Sequence, residues 1–211
     1  MAEEGITLKM NAIVLAGGQG TRMGYGVAKP FLPFGGEILI ERVLGFLRPR
    51  FRSVIVVTRS REGWGWLKER LVTDDYPQGG PLVGLARGLA TSDTDWCFLV
   101  GCDMPFLQAA VVEEMARFAN GVDAVALCTE VYHPLHAFYR RTCLPAVEEL
   151  LASGMTSVQD LFRNARVYPV DPDALRSLDP DLISFRDVDT PDDYAEALHL
   201  NVTLPIQRNP S

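Results

Sequence analysis

Only four cysteines and three histidines occur in the 211 residues. Cys97, Cys102, Cys128 and Cys143 form no CxxC pair and keep no zinc-like spacing with the histidines. They read as reduced thiols packed as small hydrophobes in strands. No apolar run approaches about 18 residues, which excludes an ordinary membrane-spanning helix. The first residues, Met1-Ala2-Glu3-Glu4-Gly5, carry neither the positive nor the apolar segment of a secretory signal. A cytoplasmic protein is therefore expected, with no membrane partner. Low-complexity blocks and long charge runs are missing too, and charged residues make up 22%, which argues against disorder or a coiled coil. Positive charge is scarce: 20 Lys and Arg stand against 27 Asp and Glu, for a net charge of −7. A nucleic-acid-coating surface is excluded on that balance, and an anionic substrate must be met by a local basic pocket.

Hydrophobic residues make up 47% of the chain, enough for one sizeable core. Residues 1–200 are expected to form one domain and residues 201–211 a loose tail. Apolar runs at Asn11–Ala16, Ser53–Thr58 and Trp96–Gly101 have the length and β-branched composition of buried strands. Shorter strands are expected at Val72–Asp74, Asp123–Cys128, His136–Tyr139, Val167–Val170 and Ser184–Asp187. Helical spacing appears over Ile38–Leu47, Trp64–Leu71, Leu82–Ala90, Leu107–Phe118, Leu144–Ala152 and Ser157–Phe162. Lys29–Phe34 is too rich in proline for a helix and reads as extended. Thr190-Pro191-Asp192-Asp193 opens a last helix with a cap, an early proline and acids at its positive end. Arg48, Arg50 and Arg52 read as a solvated turn that complements the end of a helix. Strands alternating with helices imply a single-domain α/β fold: a Rossmann-like, doubly wound, mostly parallel sheet flanked by helices.

Such sheets bind ligands beyond the carboxyl ends of their strands. The polar clusters fall there: a glycine loop after the first strand, Thr58 after the second, Asp74 after the third and Asp103 after the fourth. The loop reads Leu15-Ala16-Gly17-Gly18-Gln19-Gly20-Thr21-Arg22-Met23-Gly24 and runs on to Lys29. Its exposed N–H groups can form an anion-binding nest. Arg22 can grip a phosphate through two parallel bonds, while Lys29 acts as a point charge. The spacing is neither the dinucleotide fingerprint nor the P-loop. Asp103 fits a Mg²⁺ ligand; the alternative is an Asx turn or a cap of the next helix. Asp187 or Asp189 could add a second carboxylate, with N-capping as the alternative. Trp64 and Trp66 read as packing residues ahead of base-stacking ones.

The Leu15–Gly24 stretch with Lys29 resembles the motif of sugar-nucleotide pyrophosphorylases and molybdenum-cofactor nucleotidyltransferases. Gly80-Pro81-Leu82-Val83-Gly84-Leu85, Cys102-Asp103-Met104-Pro105 and His133-Pro134-Leu135-His136 then resemble segments of one family within it, the molybdenum cofactor guanylyltransferases (MobA). The resemblance implies a nucleotide-diphospho-sugar transferase-like fold and Mg²⁺-dependent transfer of GMP from GTP to the phosphate of molybdopterin, with pyrophosphate released. It implies nucleotide contacts at Leu15, Ala16, Gly17, Gly18, Lys29, Asp74 (or Asp75) and Asp103. Arg22, Lys29 and Asp103 would be catalytic, and Asp103 a metal ligand with Asp189 as a possible second. Maturation proteins of molybdenum enzymes are implied partners. His133 and His136 would serve packing or acceptor contacts, not as bases. The chain departs from the family pattern at Gly20, Ala28 and Thr58 and in the length of its loop. Asp187-Val188-Asp189-Thr190-Pro191 is similar to cytidylyltransferase relatives. CTP as donor, a sugar-1-phosphate as acceptor, or a non-catalytic nucleotide-binding regulator are the alternatives.

Overall fold

A computed structural model describes residues 7–17, 27–76 and 79–203. The first strand, β1 (Leu8–Leu15), shows why the chain layers as it does. Its side chains alternate, so Ala12 and Val14 enter one apolar cluster while Ile13 enters another on the opposite face. Both faces are covered, which explains the unbroken apolar run.

The chain continues through a 3-10 turn at Lys29–Phe31, a two-residue hairpin β2 (Pro33–Phe34) and β3 (Glu37–Ile38), α1 (Leu39–Leu47), β4 (Phe51–Thr58) and β5 (Arg70–Thr73). After α2 (Pro81–Thr91) come β6 (Trp96–Gly101), α3 (Ala109–Ala116), β7 (Ala124–Leu127) and β8 (Ala137–Arg140). The last elements are α4 (Leu144–Ala152), β9 (Val167–Val170), α5 (Pro172–Arg176) and α6 (Pro191–Thr203). Seven strands make one sheet in the order β5-β4-β1-β6-β8-β7-β9. It is parallel except at β8, which runs antiparallel to both β6 and β7. Val14 pairs with Val56 on one side and Val100 on the other. α1 and α3 cover one face, α2 and α4 the other. Two glycines let α2 lie close on β1: a Cβ at Gly84 or Gly88 would come within 2.5 Å of Leu15 or Ile13.

A third, smaller cluster sets the site. Leu32, Phe34, Leu39, Phe106, Val188, Tyr194 and Ala197 pack together, and the Tyr194 hydroxyl donates to the Pro33 carbonyl. Three segments far apart in sequence, just after Lys29, just after Asp103 and just before Asp189, are thereby clamped at one corner.

Several local expectations give way. Lys29–Phe31 is a 3-10 turn rather than extended chain, because Pro30 occupies its first turn, where no N–H is needed. Residues 64–69 form turns instead of a helix. Trp64 is buried there against Phe31, ring centroids 5.0 Å apart, with Gly63 at φ +82° before it. Ser157–Phe162 becomes a 3-10 turn at Val158–Arg163. Ser184–Asp187 is no strand: the Asp179 carboxylate accepts from the Ile183 and Ser184 N–H groups and closes a 3-10 turn at Ile183–Phe185. The short helix α5 was not anticipated, although Asp171 caps it through the Asp173 N–H. α6 runs through Thr203, three residues into the expected tail, and Arg42 donates to the Asn201 side chain at 2.9 Å. All four cysteines are unpaired, three of them buried. Among the described residues no helix is long and apolar enough to cross a membrane.

Candidate functional site

The order β5-β4-β1-β6 places the topological switch between β1 and β6, where a ligand crevice opens in such sheets. Lys29 and Asp103 meet at that point. The Lys29 Nζ donates to Asp103 Oδ2 at 2.9 Å and to Asp189 Oδ1 at 2.5 Å. Lys29 is only 8% exposed. Burial alone would lower its pKa; the charge of Asp103 and hydrogen bonds from Asp189 and Asp103 outweigh that and raise it. The ammonium stays charged over the whole working pH range.

Asp103 owes its pose to its neighbours. A Cβ on Gly101 would stand 2.2 Å from Asp103 Oδ1, so only glycine ends β6 without displacing the carboxylate. The Asp103 carbonyl accepts the Val188 N–H at 3.0 Å, which ties the Asp187–Asp189 segment alongside. The capping alternatives fail for both aspartates. α3 starts after Gln108 with no side-chain cap, and the box that opens α6 is made by Thr190 and Asp193. Asp189 is therefore left to face Lys29. Asp187 is open to solvent on one side and crowded on the other; partial burial, then the charges on Asp189 and Asp103, raise its pKa.

Among the described residues, nothing hydrogen-bonds to the buried Asp103 Oδ1. An orphaned carboxylate oxygen beside further carboxylates suits a hard divalent cation with oxygen ligands. Among the described residues, no three His, Cys, Asp or Glu side chains stand close enough to cage an ion alone. An ion here would complete its shell from water and substrate phosphate, as Mg²⁺ does.

The other expected contacts distribute as follows. Ala16 N donates to Val57 O at 2.8 Å and Leu15 O accepts from Cys102 N at 3.0 Å, so the sheet ladder already uses those two groups. Gly17 lies at the crevice, whereas Gly18 and Arg22 fall outside the described residues. Asp74 is buried, its N–H on Thr58 O at 2.8 Å and its Oδ1 accepting from Tyr76 N. Asp75 is exposed and pairs with Arg87. An open cavity of about 350 Å³ is lined by Ala16, Gly17, Thr58, Arg59 and Trp64, among others.

His136 is fully buried. Its Nδ1–H donates to the Ser184 carbonyl, its ring stacks on Phe185 at 4.2 Å, and burial pushes its pKa down to about 4. Burial also lowers the His133 pKa. His136 is thus a neutral packing residue. Sequence reasoning missed Arg59 and Gly101. Gly101 ends a buried strand directly before the Cys-Asp pair, which was a usable signal; Arg59 had none.

A family model described as the MobA-like NTP transferase domain matches residues 12–167. The chain belongs to the MobA-like NTP transferase family. A protein of Pelotomaculum thermopropionicum named probable molybdenum cofactor guanylyltransferase is 35% identical, over 90% of this chain and 92% of its own length. A molybdenum cofactor guanylyltransferase of Desulfosudis oleivorans is 31% identical, over 89% of this chain and 94% of its own. The crystal structure of molybdopterin-guanine dinucleotide biosynthesis protein A from Archaeoglobus fulgidus superposes with a TM-score of 0.80 at 27% identity. It covers 92% of this chain and 100% of that one. Membership makes the chain a nucleotidyltransferase, and it places the Lys29–Asp103 cluster in an NTP-transferring fold.

Proposed function

We propose that the protein transfers GMP from GTP to the terminal phosphate of molybdopterin and releases pyrophosphate. The observation that carries this reading is the Lys29–Asp103–Asp189 cluster at the switch point, with Asp103 Oδ1 buried and unpartnered among the described residues. The names of the relatives support GTP and molybdopterin as the substrates. An oxygen of the acceptor phosphate attacks the α-phosphorus as the bond to the bridging β-oxygen breaks, so the reaction needs position and charge neutralisation but no side-chain nucleophile. Asp103 and Asp189 would hold Mg²⁺, which supplies positive charge at the phosphate oxygens when bound. Lys29 exchanges its carboxylate partners for phosphate oxygens as the nucleotide enters. Arg22, on the glycine loop, steadies the triphosphate. Asp74 and the backbone of Gly17 would contact the nucleoside.

The test is pyrophosphate release with each NTP, Mg²⁺ and molybdopterin. Release with GTP alone is expected. Release with CTP, or only with a sugar-1-phosphate acceptor, would replace the substrates, and binding without release would make the chain a regulator. Asp103→Asn should lower the rate at least about 100-fold.

A further inference from the structure

Arg59 stands apart from the Lys29–Asp103 cluster. It follows β4, which flanks β1 on the side away from β6. Its side chain crosses the floor of the crevice. A Cβ on Gly17 would stand 3.3 Å from Arg59 Cγ, and one on Gly79 only 2.5 Å from a terminal guanidinium nitrogen. The stem therefore runs along the end of β1 while the head lies against the loop that leads into α2. Arg59 also lines the cavity of about 350 Å³ with Ala16, Gly17, Thr58 and Ser60. On the neighbouring strand end, Asp74 is buried and held by Thr58, the residue before Arg59.

The chemistry fixes the α-phosphate at the carboxylates beyond β6. Arg59 leaves the sheet two strands away, about 10 Å across at the usual strand spacing. A nucleotide that reaches from one to the other puts its base at Arg59. A guanidinium is a donor-only fork, and its best planar partner on a base is the O6 and N7 pair of guanine. Adenine offers an amino donor where guanine has O6, and cytosine has no N7.

We propose that Arg59 selects guanine by donating two parallel hydrogen bonds to its O6 and N7. Asp74, an acceptor-only group, meets the N1–H and N2–H₂ donors on the base's other edge. This rests on the guanylyltransferase reading above and adds the residue that decides the base.

The experiment measures dissociation constants of GTP, 7-deaza-GTP, ATP and CTP with Mg²⁺ and no acceptor. It uses the unaltered protein, Arg59→Gln and Arg59→Lys, with melting temperature and far-UV spectrum as the fold check. The unaltered protein should bind GTP about tenfold more tightly than 7-deaza-GTP. Arg59→Gln should weaken GTP binding about ten- to a hundredfold, bind GTP and 7-deaza-GTP alike, and leave ATP and CTP unchanged. Arg59→Lys keeps the charge and can still donate to O6 and N7, so it should retain part of the preference for N7 that Arg59→Gln loses. An equal loss for all four nucleotides would make Arg59 a phosphate contact, and unchanged GTP binding would remove it from the site. Either result overturns the assignment while GTP remains preferred. If the unaltered protein prefers CTP, the guanylyl reading falls and the assignment falls with it.

Discussion

The two ends of the one sheet handle charge in opposite ways. At the amino end most strong polar groups among the described residues are matched, although the Arg50 Nε is buried without a partner. Asn11, 1% exposed, donates to Ser92 and Asp93 and accepts from Ser53. Arg48 pairs with Glu69, Arg52 with Asp93 and Arg140 with Asp95. Arg50 donates to the Phe46 carbonyl near the end of α1, as its place in the turn suggested. At the carboxyl end one lysine faces Asp103 and Asp189, Asp187 is crowded beside them, and a buried carboxylate oxygen has no partner among the described residues. A matched network stabilises the fold and does no chemistry. Unmatched charge, held in place by packing, is available to a ligand.

That contrast can be broken in order of size. Gly101→Ala should hit activity hardest for the smallest chemical change. The new methyl group would displace the Asp103 carboxylate, and a misplacement near 1 Å costs about 100-fold in rate. The melting temperature should barely move, and pyrophosphate assays beside thermal melts would separate the two effects.

Protonation gives the next effect. The folded pKa of His136 is depressed to about 4 from an ordinary 6.5. The unfolded chain therefore takes up this proton first as pH falls. The stability His136 contributes is complete above about pH 6.5 and is lost progressively down to about pH 4. The loss is on the order of 3 kcal/mol. Denaturant melts across that window should show the slope in the unaltered protein and a shallower one in His136→Gln; equal slopes would refute the assignment.

At the amino end the signs reverse. Asn11→Ala should cost about 1–3 kcal/mol of stability, because it strands buried hydrogen-bond partners, yet leave kcat unchanged. Arg52→Ala, which breaks a pair with both side chains more than half exposed, should change neither activity nor melting temperature measurably. A loss of turnover in either variant would show that the two ends are coupled.

The core strands and the longer helices were legible because a two-sided parallel sheet demands continuous apolar runs, and amphipathic helices show their period. Trp96–Gly101 and Leu144–Ala152 fall where the pattern puts them. The misread segments, at residues 29–31, 64–71, 157–162 and 184–187, are short, and each is held by partners elsewhere in the sequence or by side-chain bonds that periodicity does not encode. Trp64 needed Phe31, and Ser184 needed Asp179.

By itself the sequence determined the alternation of strand and helix, and with it which residues stand at strand ends, since apolar spacing is a local property. Only the tertiary structure decided that Asp189 turns to Lys29 instead of capping a helix, and that Arg59 lies across Gly17 and Gly79. Both depend on packing between segments up to 160 residues apart, brought together by the small cluster around Phe34, Phe106 and Val188 and by the order of strands in the sheet.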